Sequence, residues 1–247
     1  MELRKEAMEY LVGLGVEAHG TEVLEICGKT YADKGLTRYD RKPKADPIMA
    51  SSLTALVDYI RDCNTEFEYE MIIHIVSPTK VRLMSALDIE RERETLFEVN
   101  AETSKFRYDE WYDQERMMID LQANFEEGKD LGLVLKAVGN IEKKNEQSYS
   151  DNGTSQLATM TVGVAAKADV IVPNPVELIP YRTFQEVAQP ASKFVFRIGD
   201  REKPQFKIVE AEGGVWKNTA IASIKDFLYG KLGEMSEAIQ AEITIIG

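Results

Sequence analysis

The stretch IEKKNEQSYSDNGTSQLATMTVGVAAKADVIVP, residues 141–173, decides the fold. Asp151-Asn152-Gly153 is a turn triplet, because Asn and Gly tolerate the positive φ that tight hairpin turns demand. Beyond it, Leu157, Thr159, Thr161, Gly163 and Ala165 fall on one face, and Ala158, Met160, Val162 and Val164 on the other. A period of two is the signature of a strand. Pro173 and Pro175 then end ladder pairing, since proline has no N–H to donate. The stretch therefore predicts one long β-hairpin with its tip at Asp151-Asn152-Gly153.

Working outward, residues 193–198 and 205–211 read as a second hairpin around GDREKP. Asn218 or Thr219 is placed to cap a helix that turns Ile221, Ile224 and Leu228 inward, and AEITII at 241–246 returns as a strand. Upstream, Ser51 or Ser52 caps a helix whose Leu53, Leu56, Val57 and Ile60 recur at i, i+3, i+4 and i+7, a buried stripe. Residues 69–76 and 81–87 are strands joined by the proline turn Ser77-Pro78-Thr79-Lys80, and 95–101 adds a third. Asp109 is placed to cap a helix running through Phe125, with Trp111, Met118, Leu121 and Phe125 on a core-facing side. Residues 131–139 are a second helical piece. At the start, 2–11 reads as a short helix with Leu3, Ala7, Tyr10 and Leu11 on one side, and 21–31 as strand. Helices and strands come in blocks rather than in strict βαβ alternation. The expected class is thus α+β, an antiparallel sheet built from long hairpins with helices packed on it. Residues 1–40 form an N-terminal helix and strand region, and 41–247 a single α+β domain.

A helix, then NEQSYSDNGTSQLATMTVGVAAKADVIVPNPVELIPYRTF, then KFVFRIGD paired with QFKIVEAE, then IASIKDFLYGKL, resembles the YfdQ-like family of phage and prophage proteins. SSLTALVDYIRD and FRYDEWYDQERMMIDLQANF echo it upstream, so the resemblance covers residues 40–232. It implies a phage or prophage setting. The family has no assigned activity to carry onto any residue.

The 247 residues hold 30 Lys and Arg against 42 Asp and Glu, a net charge of −12. Residues 1–150 carry 20 basic and 30 acidic side chains and the remainder 10 and 12; within 86–127 there are 5 basic and 13 acidic, a net of −8. Such a surface repels phosphate backbones and favours basic partners. Cys27 and Cys63 make no disulfide framework. With no secretory leader and no apolar run long enough to span a bilayer, the expected location is the cytoplasm, of a host cell if phage-encoded.

Catalytic signatures are missing: no GxGxxG after a strand, no Walker loop, no HExxH, no paired CxxC and no nucleophile elbow. Gly213-Gly214-Val215-Trp216-Lys217 has the wrong spacing for a phosphate loop. Of the two histidines, His19 and His74, the latter lies in MIIHIV and is expected as a satisfied core residue rather than a ligand. Asp88, Glu90, Glu92 and Glu94 would share one face of a strand and suit a hard cation. The interleaved Arg91 and Arg93 favour local ion pairs instead. Arg38, Arg41, Lys42 and Lys44 around Tyr39 are of the type that grips single-stranded nucleic acid, although the acidic chain argues against it. The reading that follows is an accessory protein acting by binding, a homo-oligomer that recognises a host protein or a small ligand, with no cofactor. A metal-dependent nucleotide hydrolase using Asp88 to Glu94, and a DNA-handling accessory protein using Arg38 to Lys44, are the alternatives.

Overall fold

The structure, a computed structural model, describes residues 44–140, 150–151, 155–162, 166–199 and 204–247, together with 5, 8–10, 14, 23–26 and 29–32. The chain divides into two units, Met1–Lys44 and Ala45–Gly247. In the first, Lys5, Met8, Glu9, Tyr10 and Leu14 are helical. Tyr10, expected on the apolar side, is exposed. Strands β1 (Val23–Ile26) and β2 (Lys29–Ala32) pair antiparallel, so the chain reverses where a single strand was expected.

The second unit is α+β and holds two hydrophobic cores. The first is built on a five-stranded sheet. Strands β4 (Met71–Ser77), β5 (Lys80–Ser85) and β6 (Thr95–Asn100) form an antiparallel meander, extended at its edges by two parallel neighbours. These are β3 (Ile48–Ala50) beside β6 and β13 (Ile243–Ile246) beside β4. Helix α1 (Leu53–Asp62) starts at Ser52, whose hydroxyl accepts from the Ala55 N–H at 3.3 Å. Its predicted stripe of Leu53, Leu56, Val57 and Ile60 is buried. Helix α4 (Trp216–Gly233) adds Ala220, Ile224, Leu228 and Leu232 to the same core. It begins before the expected Asn218 or Thr219 cap. The short helix α5 (Glu237–Glu242) then leads into β13.

On β4 the alternation buries Met71, Ile73 and Ile75 and leaves Ile72, His74 and Val76 on the opposite face. His74 is consequently half-buried beside its cross-strand neighbour Arg82, not a core residue. A histidine within an apolar run is consistent with either face of a strand. Register decides which, because one step exchanges the two faces.

The second core covers the antiparallel sheet of β10 (Val176–Leu178), β11 (Ser192–Gly199) and β12 (Gln205–Glu210). Helices α2 (Gln114–Asn124) and α3 (Lys129–Gly139) supply Met117, Leu121, Leu131, Val134, Ala137 and Val138. The cap of α2 is Asp113, accepting from the Arg116 N–H at 2.8 Å, not Asp109. Asp109 has φ 63° and pairs with Lys207 at 2.6 Å. The inward face of α2 is Met117 and Leu121. Trp111 precedes the helix and lies 41% exposed. Its ring covers Gly199, where a Cβ would stand 2.8 Å from it.

A third sheet corrects the reading of residues 141–173. Strand β7 (Ser150–Asp151) does pair antiparallel with β8 (Ser155–Val162), consistent with a reversal between them; Asn152 and Gly153 themselves lie outside the described residues. The longer hairpin, however, is β8 with β9 (Ala166–Pro173), whose register matches Val162 with Ala166. The chain turns back where the alternation had been carried straight on. Between the two prolines, the Asn174 side chain takes over ladder pairing: its amide donates to the Phe196 carbonyl at 3.4 Å and accepts from the Phe196 N–H at 3.2 Å.

The opposite exposures of the two sheet faces give a direct check. Ile73→Ala, on the covered face of β4, should lower unfolding stability by about 2–5 kcal/mol. Val76→Ala, on the open face of β4, should change it by no more than about 0.5 kcal/mol. Urea melts of both variants test this; equal losses would contradict the assignment of faces.

Candidate functional site

Most of the acidic side chains in 86–127 are committed to the fold. Glu98 accepts from Lys80 and, at 2.8 Å, from Arg82 on β5. Asp109 is bound to Lys207, Asp120 lies 3.6 Å from Arg116, and Glu110 lies 3.6 Å from Arg107. Asp113 caps α2. Glu94 accepts from the Ala45 N–H at 2.6 Å.

The four carboxylates of Asp88, Glu90, Glu92 and Glu94 do not line up on a strand. They lie in the loop between β5 and β6. Asp88 Oδ1 accepts from the N–H groups of Glu90 at 2.9 Å and Glu92 at 2.8 Å, and Arg91 turns the corner with φ 61°. Arg93 donates to the Ser85 carbonyl at 2.9 Å. Here Asp88 acts as a turn builder, a common role for a short carboxylate beside its own backbone. Among the described residues no group of three or more His, Cys, Asp and Glu side chains is placed to hold a metal ion. Of the basic cluster, Arg38, Tyr39, Arg41 and Lys42 lie outside the described residues; Lys44 is exposed.

Two of the uncommitted acids meet elsewhere. Among the described residues, Glu102, Glu115, Glu126 and Glu127 make no ion pair or hydrogen bond through their side chains, and Glu102 and Glu126 line one cavity of about 510 Å³. Three segments wall it: Glu102, Thr103 and Ser104 after β6; Glu126 between α2 and α3; and Tyr181, Gln185, Val187 and Gln189 from the loop before β11. Backbone bonds fix these walls together. Ser104 N–H donates to Tyr181 O at 2.8 Å, Tyr181 N–H to Asn124 O at 3.0 Å, and Glu126 N–H to Ile179 O at 2.8 Å. Gln189 is locked in place, accepting from the N–H groups of Arg182 and Thr183 and donating to Phe184 O at 3.0 Å. The cavity thus has a fixed frame and a rim of free polar groups: two carboxylates, the Thr103 hydroxyl, the Gln185 amide and the Tyr181 phenol. No lining residue is cationic.

Behind this wall, Arg182 is buried. Its guanidinium lies 3.9 Å from the Trp216 ring centre and 5.7 Å from that of Phe194. It pairs with Glu210 at 2.8 Å and donates to the Ser192 hydroxyl. Burial lowers its proton affinity, and the Tyr108 and Glu210 side chains oppose that effect. Tyr108, stacked on Phe194 with ring centres 5.5 Å apart, has its phenol pushed up to about 12, chiefly by burial. The next residue, Thr183, donates to the Pro78 carbonyl of the first core at 2.6 Å. Glu186 accepts from the Thr54 N–H in the first turn of α1 at 3.1 Å. The loop 181–190 therefore joins both cores and carries one wall of the cavity.

Neither a family model, nor a curated protein, nor a solved structure matches this chain. No described helix is long and apolar enough to cross a membrane.

Two measurements follow. The Lys80 ammonium, with Asn100 and Arg82, holds the Glu98 carboxyl down to about 2 against the upward push of burial. A depressed carboxylate contributes stability that is complete above its unfolded value, near 4.5, and lost as pH falls towards 2. Urea midpoints measured down that range should fall for the parent and flatten in Glu98→Gln. Separately, Arg182→Ala should cost about 1–3 kcal/mol, because it strips the buried Ser192 hydroxyl and the Pro190 carbonyl of their partner while Glu210 stays in contact with solvent. Arg182→Lys should recover little of it, because an ammonium cannot stack as the planar guanidinium does. Full recovery by lysine would show that charge alone matters there.

Proposed function

We propose that this protein works by binding rather than by catalysis, and that the region 86–127 recognises a basic protein partner. The observation that carries the reading is the set of carboxylates left free of internal partners, two of which open onto a cavity with no cationic lining residue. A region with a net charge of −8 accelerates encounter with a basic surface, and the free carboxylates then contribute at contact. The resemblance to phage and prophage proteins supports a setting in the host cytoplasm, where the partner would be a host factor. Self-association belongs to the same reading: β3 and β13 are short edge strands, and an edge invites pairing with another chain.

The test uses an arginine-rich peptide as the basic probe and stopped-flow kinetics across a salt series. The association rate should fall as salt rises from about 0.01 M to about 1 M, over which the screening length shortens from about 30 Å to about 3 Å. Glu115→Lys with Glu127→Lys should slow association. The same charge change made remotely, at Glu237 and Glu242, should slow it much less. If the two double variants behave alike, the recognition is not localised to 86–127 and the reading fails.

A further inference from the structure

The geometry points to a binding site for an arginine side chain in the cavity framed by Glu102, Glu126 and Tyr181; this rests on the basic-partner reading and names what the partner inserts. First, the electrostatics are one-sided. The cavity has two carboxylates, no lining cation, and no internal ion pair that a ligand would have to break. Second, Tyr181 is 40% exposed, and its ring contacts no other aromatic ring and no cation among the described residues. An open aromatic ring beside carboxylates suits a guanidinium, which can stack through its plane while its N–H groups reach oxygen acceptors. Third, the acceptors are several and distinct: the Glu102 and Glu126 carboxylates and the Gln185 amide oxygen. A guanidinium has five donors in a planar fork, whereas an ammonium has three on a point charge. Fourth, the frame is preformed. Ser104, Gln189 and the backbone of Tyr181 and Glu126 are held by bonds within the fold, so ordering the site costs little on binding. The volume of about 510 Å³ exceeds what one side chain needs and leaves room for the flanking residues of a short peptide.

The same fold already holds one arginine in this manner: Arg182 lies over Trp216 and pairs with Glu210. The cavity offers the same combination, an aromatic face and carboxylates, to an arginine from outside.

The experiment titrates the whole chain with acetyl-arginine-amide, acetyl-lysine-amide and acetyl-citrulline-amide, followed by amide chemical shifts of isotope-labelled protein. Citrulline keeps the shape of arginine and loses the charge. The arginine probe should shift resonances of Glu102, Thr103, Glu126 and Gln185, and citrulline should bind at least tenfold more weakly. Glu102→Gln with Glu126→Gln should weaken arginine binding at least tenfold with an unchanged melting temperature. Tyr181→Leu should weaken arginine more than lysine. Equal binding of citrulline, or indifference to the double glutamine variant, would overturn the site. The two readings separate cleanly. If peptide association responds to Glu115→Lys with Glu127→Lys while the arginine probe ignores Glu102→Gln with Glu126→Gln, the pocket falls and the acidic region stands. If the probe binds in the cavity but peptide association ignores charge in 86–127, the reverse holds.

Discussion

Arg182 is the constraint around which the second unit is arranged. A guanidinium taken out of water needs both charge compensation and hydrogen-bond acceptors. Here they come from separate places: Glu210 at the end of β12, Ser192 at the start of β11, the Pro190 carbonyl, and the rings of Phe194 and Trp216. Pairing that cation through its two terminal nitrogens therefore fixes the end of the small sheet against the first turn of α4. The flanking loop must then follow a set course. It delivers Phe184 and Val187 to the first core, Thr183 to Pro78, and Tyr181 and Gln185 to the cavity rim. The cavity follows from that course, since Arg182 pins the segment of its third wall together with Gln189, Thr183 and Glu186.

Much of this fold can be read from residues alone, where a local physical rule operates without competition. Ser52 and the stripe behind it define α1 because capping and periodicity agree. Strands β4, β5 and β6 are legible because alternation and a proline turn agree. The reversal between β8 and β9 is masked because Val164 and Ala165 continue the alternation past Gly163, a lone glycine with no Asn, Asp or Pro beside it. Asp109 competes with Asp113 for the cap of α2 because three acidic residues, Asp109, Glu110 and Asp113, precede the helix. The choice among them depends on which one adopts extended backbone beside the first free N–H groups. The parallel pairs at the sheet edges involve segments of three and four residues, too short to encode a partner.

The cavity was out of reach for a different reason. Its walls come from three segments distant in sequence, none with a motif, and its character rests on what its carboxylates do not touch. Charge counting pointed to 86–127 but could not separate Asp88, Glu94 and Glu98, which hold the structure together, from Glu102 and Glu126, which are left open. The YRTF segment gave one faint sign, an arginine flanked by aromatic residues, and composition alone does not distinguish a buried hub from a solvated side chain.

The parallel pairing of β13 with β4 has a consequence for how the protein is made. Strand β4 emerges early from the ribosome, whereas α4 and β13, which complete its sheet and cover it, are translated far later. Between them lies nearly everything that builds the second core. That inner body draws on contiguous sequence and is able to condense while the outer one waits with an unfilled sheet edge and an apolar face covered by α1 but not yet by α4. The nascent chain thus passes through a stage in which β4 is an open template for pairing, a stage at which chaperone protection or slow translation would have its greatest effect.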